Sequence, residues 1–471
     1  MSDHRSNQSL RLAFYGDDFT GSTDALEVLA FAGLRCALFL KVPDDQTLAE
    51  LGPFDAIGVA GDSRAMTPLE MDLQLAPILS ALAELPTPLV HYKVCSTFDS
   101  SPSIGSIAHV MTLARSHFGS HVIPVVAATP ALGRYCVFGH LFARSGTDNR
   151  VYRIDRHPIM SAHPVTPMNE ADLVRHLAAQ RPMTIAKFEL PKFSAGRDAI
   201  DREFSRLLLE GPQGVLFDGS EPAHLTETGR LLQQWAEQHF AQQKTPMFAV
   251  GSSGLEYALT QWWRESKLLP LAEPKASFNP VSQVLAVSGS ASALSALQID
   301  AALAADFVDV PIDPLALVSQ PEAATARLLK CTLDALTLGR SVMMHTARGP
   351  KDARIDALLD VLIRGGQTRD EAMHSGGRQL GQHLGRLVDG VLRQFPLQRL
   401  LLSGGDTSSQ ITRALAPDAL QIEAALAPGA PLCVARSSQA HLKGLQIALK
   451  GGQMGQADFF IRARDGLLPR Q

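Results

Sequence analysis

The chain has 471 residues, with 43 Lys+Arg against 47 Asp+Glu for a formal net charge of −4, 45% hydrophobic residues and 19% charged ones. That apolar content excludes a disordered chain, and at roughly 100–200 residues per domain the length predicts two or three domains, each with its own core. A mildly acidic balance provides no basic face for nucleic acid, and no apolar run approaches the roughly 18 residues of a membrane span, so neither partner is expected.

The polar start MSDHRSNQSL is followed by an apolar stretch that soon meets Asp17 and Asp18, which does not read as a signal peptide. Five widely scattered cysteines (Cys36, Cys95, Cys136, Cys331, Cys433) show no CxxC spacing, so neither a disulfide framework nor a zinc framework is expected. A reduced, cytoplasmic protein is the expectation.

Along the chain, LRLAFYG (from Leu10), DAIGVAG (from Asp55), PLVHYKV (from Pro88) and HVIPVVAAT (from His121) read as buried strands ending at Gly, Asp or Ser. Between them STDALEVLAFAGL and MDLQLAPILSALAEL carry apolar residues at helical spacing. Loops rich in Gly, Pro and His are predicted at Gly133–His140 and Arg156–Met168. There His157 and His163 stand too far apart for a helical metal pair. MTIAKF, GVLFDG and PMFAVG add strands. RESKLLPLAEPKASFNPVSQ, with three prolines, then breaks the rhythm before QVLAVSGS, FVDVPI, SVMMHTA, QRLLLSGGD and PLCVAR restart it. The expected fold is α/β: two α/β domains with mostly parallel sheets and an interdomain active-site cleft, spanning 1–270 and 284–471 with a linker at 271–283.

The first strand runs into GDDFTGSTD, Gly16 to Asp24. The spacing nearly fits a P-loop, but Ser22 stands where the lysine belongs, and Asp17 and Asp18 would repel a polyphosphate. Carboxylates at a strand's C-terminal end suit sugar hydroxyls instead, as hydrogen-bond acceptors or as a base. The alternative is that they cap the following helix. Arg64 and Lys93 follow strands toward the same sheet edge. An Arg there can hold a carboxylate through paired hydrogen bonds, while a Lys supplies a point charge. Acids and bases together fit a ligand with hydroxyls and a carboxylate, although each cation could equally belong to a surface ion pair.

The second half differs. VSGSAS (Val287–Ser292), SGGDTSS (Ser403–Ser409) and KGGQMG (Lys450–Gly455) place small residues at strand ends or helix starts, where backbone amides can face phosphates. None matches GxGxxG, which favours a mononucleotide over a dinucleotide and weakens a dehydrogenase reading. Asp406 could hold Mg²⁺, bind ribose or cap a helix.

Taken together, DDFTGSTD, the DSR ending at Arg64, the YK ending at Lys93, GR-x5-H ending at His140 and the GGDTS turn resemble the four-carbon acid sugar kinase family, with the motifs in order over nearly the whole chain. The resemblance implies an ATP- and Mg²⁺-dependent kinase for a small sugar acid, with a sugar-binding N-terminal and a nucleotide-binding C-terminal domain. It implies Asp18, Asp24 and Lys93 as catalytic groups, with Asp18 or Asp24 taking the hydroxyl proton. Asp17, Thr20, Arg64, Ser96, Arg134 and His140 would surround the sugar acid. Ser290, Ser292, Gly404, Gly405, Asp406, Thr407 and Gly452 would contact the nucleotide. One departure is informative. Where members continue Asp-Ser-Thr-Leu-Arg-Gly after the lysine, this chain has Cys95-Ser96-Thr97-Phe98-Asp99-Ser100. Exchanging a cation for an anion in a substrate pocket changes what binds, which points away from a plain tetronate and toward the branch acting on 3-oxo-isoapionate. A nucleotide-gated binding protein without chemistry is the rival reading, and a homodimer is expected only from the general frequency of dimers.

Overall fold

A computed structural model describes residues 10–119, 122–146, 148–163, 165–269 and 278–467. The chain divides into two compact units, Met1–Ala272 and Glu273–Gln471. Residues 271–277 of the expected linker lie outside the described residues.

The first unit contains β1 (Leu12–Gly16), β2 (Cys36–Phe39), β3 (Ala56–Ala60), β4 (Leu89–Lys93), β5 (Ile123–Val126), β6 (Arg134–Val137), β7 (His140–Arg144), β8 (Val151–Arg153), β9 (Ile185–Phe188), β10 (Gly214–Phe217) and β11 (Met247–Gly251). Eight of these pair in the order β2-β3-β1-β4-β11-β5-β10-β9, every pair parallel. LAFYG, AIGVA, LVHYK and MFAVG are buried at every position, as strands covered by helices on both faces must be. The chain leaves β1 through α1 (Phe19–Phe31), lays β2 and β3 on one side, then crosses to β4 on the other. The reversal opens a crevice at the C-terminal ends of β1 and β4, the usual ligand position in such sheets.

The expected loop at 133–140 is instead a hairpin. β6, β7 and β8 form a small antiparallel sheet with Val137 opposite His140. Phe138 and Gly139 between them have φ of 50° and 77°, the geometry of a two-residue turn that matches strand twist. The buried Asp218 carboxylate accepts both turn amides, from Phe138 N at 2.6 Å and Gly139 N at 2.8 Å. A distant acid thus fixes a turn whose composition resembles a loop. β2, a four-residue CALF run, also lies outside the predicted strands.

The second unit contains β12 (Leu285–Ser288), β13 (Val308–Pro311), β14 (Val342–His345), β15 (Arg399–Ser403), β16 (Ala419–Ala427), β17 (Ala430–Arg436) and β18 (Gln446–Lys450). Their order is β13-β14-β12-β15-β18-β17-β16, parallel through β18 and antiparallel thereafter. From β12 the chain again fills one side before crossing to β15, so this unit has its own reversal crevice between β12 and β15. Its core gathers Val284, Ala286, Met343, Leu401, Leu432 and Ala448. No helix among the described residues is long and apolar enough to cross a membrane.

Candidate functional site

At the first crevice three strand ends are tied by backbone. Asp17 N donates to Lys93 O at 2.9 Å, Gly61 N to Gly16 O at 2.9 Å, and Arg64 N to Asp17 O at 3.0 Å. Arg64 grips Asp17 with two parallel bonds, Nε to Oδ2 at 3.0 Å and an Nη to Oδ1 at 2.7 Å, and reaches Asp18 Oδ1 at 2.9 Å. Burial pushes the Asp17 carboxyl up while Arg64 pulls it back. The two carboxylates outweigh burial at Arg64 and hold its guanidinium charge well above the ordinary range. The neighbouring Ser63 bonds Tyr92 Oη at 2.7 Å, so the DSR segment is pinned to β4 as well.

Asp18 also caps α1, its Oδ1 accepting from Gly21 N at 2.9 Å. One Asp18 oxygen therefore serves both as the cap of α1 and as an acceptor for Arg64. Lys93 is 2% exposed, with its ammonium 3.9 Å from Asp24 Oδ2. Gly21 makes this approach possible, since a Cβ there would stand 2.4 Å from Asp18 Oδ1 and 2.9 Å from Lys93 Nζ. Burial raises the Asp24 carboxyl, and Lys93 opposes the rise. Thr20 lies in the same turn, its carbonyl accepting from Thr23 Oγ1.

The segment after Lys93 is internally wired. Thr97 Oγ1 donates to Asp99 Oδ1 at 2.5 Å, which leaves the Cys95 thiol, 2.9 Å away, as donor to Thr97. Burial, then Asp99, push the Cys95 thiol up to about 11, so it is neutral at pH 7. Phe98 is fully buried with φ 55°, and Ser100 Oγ donates to its carbonyl. Gln180 in turn donates to Ser100 Oγ at 2.7 Å and to His176 Nε2 at 3.0 Å. The sequence did not reveal this buried brace, because Gln180 and His176 lie some eighty positions downstream.

Arg134, at the start of β6, donates to the carbonyls of Leu132 and Arg144. Among the described residues no carboxylate pairs with it, and its buried Nε lacks a partner. Burial draws its basicity down, while Cys95 lies within electrostatic reach of both Arg134 and Arg64. Asp17, Asp18, Arg64, Cys95 and Arg134 are thus one neighbourhood, with Lys93 and Asp24 at its β4 side. Ser96 sits half-buried beside Cys95. The His140 ring, through Nδ1, bonds the nearby Phe138 carbonyl at 3.1 Å. His157 and His163 accept amides of their own turns, from Ile159 N and Thr166 N.

The second crevice is built differently. Gly404 has φ 109°, and the helix Gly405–Leu415 starts there without a side-chain cap, so its first amides stay available. A Cβ on Gly289 would stand 1.8 Å from Thr407 Oγ1, and one on Gly452 would stand 2.2 Å from Ser290 Oγ. Three turns therefore meet where side chains cannot fit. Ser292 Oγ caps the helix Ala293–Ala304 and donates to Gly452 O at 2.6 Å, joining two of them. Ser290 Oγ accepts from Ser292 N at 3.2 Å. Asp406 stands in the first turn of the uncapped helix. Close by, a cavity of about 330 Å³ is lined by Leu426, Pro428, Gly455, Gln456 and Phe459. Lys450, which sequence reasoning passed over, is 2% exposed at the end of β18; a lone lysine closing the run QIALK before Gly-Gly was its only signal. Among the described residues no group of three or more His, Cys, Asp or Glu is arranged to hold a metal ion.

Comparison with known proteins matches both halves. A sugar-binding N-terminal domain model covers residues 12–259 and a nucleotide-binding C-terminal domain model covers residues 285–460. The chain is 41% identical to a 3-oxo-isoapionate kinase of Paraburkholderia graminis, over 98% of this chain and 95% of that protein. It is 29% identical to a 3-oxo-tetronate kinase of Cupriavidus necator, over 96% of each, and 27% identical to one of Pseudomonas fluorescens, over 97% of each. A crystal structure of a Haemophilus influenzae protein shares the fold with a TM-score of 0.71 at 24% identity, over 96% of this chain and 99% of that one. Two consecutive domain matches and near full-length identity to sugar-acid kinases lead to one conclusion: the chain belongs to the four-carbon acid sugar kinase family.

Proposed function

We propose that this kinase uses ATP to phosphorylate the C4 primary hydroxyl of 3-oxo-isoapionate, giving 3-oxo-isoapionate 4-phosphate. The observation that carries a sugar-acid substrate is Arg134, a partly buried guanidinium within electrostatic reach of Cys95 and with no carboxylate of its own among the described residues. A substrate carboxylate supplies the missing anion through paired hydrogen bonds. The choice of 3-oxo-isoapionate rests on Cys95 and Asp99. The family pattern has an acid and an arginine at these positions. Here the first is a neutral thiol and the second a buried carboxylate 6% exposed, so one cation is lost and the acid moves from the first position to the second. The 41% relative, named for that substrate, agrees with this reading.

Asp24 is the general base in this reading. Asp17 spends both oxygens on Arg64 and Asp18 divides one between Arg64 and the α1 cap, whereas Asp24 faces Lys93 at 3.9 Å and the hydroxyl of Ser253. Its raised pKa suits a group that must take and return a proton near neutrality. Lys93 orients the substrate anion and holds Asp24. Phosphoryl transfer leaves the protein little covalent work beyond positioning and charge neutralisation.

The second crevice fits a nucleotide. The uncapped amides from Gly405 onward suit phosphates, Gly289 and Gly452 keep the approach clear, and the 330 Å³ cavity beside Gly455 has the apolar walls a base needs. Asp406 is the acid of this cradle, and Mg²⁺ arriving with the phosphates supplies charge neutralisation when bound.

The test is ATP-to-ADP turnover with 3-oxo-isoapionate, 3-oxo-tetronates, D- and L-threonate and erythronate, with the product confirmed by mass. Preferred turnover of 3-oxo-isoapionate is expected. Efficient use of 3-oxo-tetronate beside poor use of 3-oxo-isoapionate refutes the substrate, and ATP binding without turnover of any member favours the binding-protein alternative.

A further inference from the structure

Lys450 ends β18 beside the turns of the second crevice, yet no role has been attached to it. Its ammonium donates to Ser403 Oγ at 2.8 Å and to Gly451 O at 3.0 Å, and lies 5.7 Å from the Phe459 ring. Its own carbonyl accepts from Gly404 N at 2.9 Å, and the Ser403 carbonyl accepts from Gly289 N at 2.9 Å. Lys450 therefore joins the ends of β18 and β15, and Ser403 carries the link on to β12, the strand ends from which the three turns emerge.

Among the described residues its charge has no counter-ion. What faces the ammonium is a hydroxyl from β15, a carbonyl from the following turn and an aromatic ring. Among the described residues no carboxylate, thiol, imidazole or second cation acts on it, and burial alone draws its pKa down to about 8. A buried ammonium is costly unless an anion or a set of hydrogen bonds compensates it. Here the hydrogen bonds are present and the anion is not. The open ground next to it is the uncapped start of the helix Gly405–Leu415 and the Gly451–Gly452 turn, which favour negative charge on backbone grounds alone.

We propose that Lys450 is the buried counter-charge of the nucleotide's phosphates, a positioning residue that holds the Ser403–Gly405 and Gly451–Gly452 turns and is compensated when the phosphates arrive. This rests on the nucleotide reading of the second crevice. Lys450 acts through Ser403 and Gly451, so it contributes field and geometry and does not transfer a proton to the substrate.

Calorimetric titration of ADP into the full chain at pH 8.5, in two buffers of different ionisation enthalpy, tests it. At that pH Lys450, drawn down to about 8, is partly deprotonated in the free protein, and ADP carries no phosphate proton to lose. Wild-type protein takes up a substantial fraction of a proton per ADP bound. Lys450→Met abolishes that uptake, weakens ADP on the order of tenfold to a hundredfold, the size of one charge interaction across about 6–12 Å at an effective dielectric near 20, and raises KM for ATP while KM for the sugar acid stays put. Lys450→Arg restores part of the affinity at pH 8.5 without the uptake. ADP binding to wild type with no proton uptake overturns the proposal without requiring any variant to fold. Unchanged uptake or affinity in a folded Lys450→Met also overturns it. Failure of wild type to bind ADP at all removes the nucleotide reading on which it rests.

Discussion

Removing Arg64 tests whether the first crevice is held by its ion pairs. In Arg64→Met the Asp17 carboxylate, 6% exposed in its side chain, loses two hydrogen bonds, and Asp18 loses one. Breaking a buried pair by deleting one partner costs about 3–5 kcal/mol. The Arg64 side chain is 26% exposed, so water reaches part of the vacated space and about 3 kcal/mol is the expected loss. Asp17→Asn keeps one acceptor but turns an amide NH₂ toward the guanidinium, for about 2 kcal/mol. If the two groups act as one pair, the double variant loses about 3 kcal/mol in place of the additive 5, a coupling of about 2 kcal/mol. The sign with pH follows from Asp17. Its pKa in the folded chain is raised by burial, and without Arg64 it rises further, so stability falls as pH climbs through the folded value. The Arg64→Met penalty is therefore larger at pH 8 than at pH 5. The readout is intrinsic fluorescence during urea unfolding, because all three tryptophans, Trp235, Trp262 and Trp263, lie in the first unit and report on it alone. Additivity of the two single variants within about 0.5 kcal/mol, or a penalty that shrinks with rising pH, refutes the reasoning.

Three further predictions follow from the same geometry. Asp24→Asn lowers kcat by about 10²–10⁴-fold and abolishes the acid limb of the pH–rate profile, which in wild type lies above the ordinary carboxylate range because burial raises Asp24; pH-dependent kinetics check both, and a retained limb removes Asp24 from the base role. Gly289→Ala drives its Cβ to 1.8 Å from Thr407 Oγ1, destabilises the second unit by about 1–3 kcal/mol and weakens ADP, while Thr407→Gly in the same chain recovers part of both; calorimetry with thermal unfolding reads the outcome. Cys95→Asp with Asp99→Arg moves the kcat/KM ratio toward 3-oxo-tetronate by at least about tenfold, measured by competing the two substrates, and an unchanged ratio separates this segment from specificity.

Much of this was legible in the amino-acid order. Apolar runs such as LAFYG and MFAVG announce buried parallel strands because every residue is apolar or small and the run stops at Gly. Asp17, Asp18, Arg64 and Lys93 could be assigned to one sheet edge because side chains that follow parallel strands share the strands' C-terminal ends. Other features were out of reach. The 133–140 segment has the composition of a loop, and it is a hairpin because Asp218, about eighty residues later, accepts its turn amides. Lys450 reads as one lysine among many until burial, with no acid beside it among the described residues, marks it out.

The order of residues by itself determined the α/β class, the two-part organisation and the chemistry carried by each half, since these follow from local periodicity and from residue types at strand ends. Only the tertiary structure decided how those groups divide their work. Arg64 ties up Asp17, Asp24 faces a lysine and a serine hydroxyl, and Arg134 has no carboxylate paired with it among the described residues. The physical reason is that hydrogen-bond partnership and burial are set by residues remote in sequence, and these decide which of several identical side chains stays free to meet a ligand.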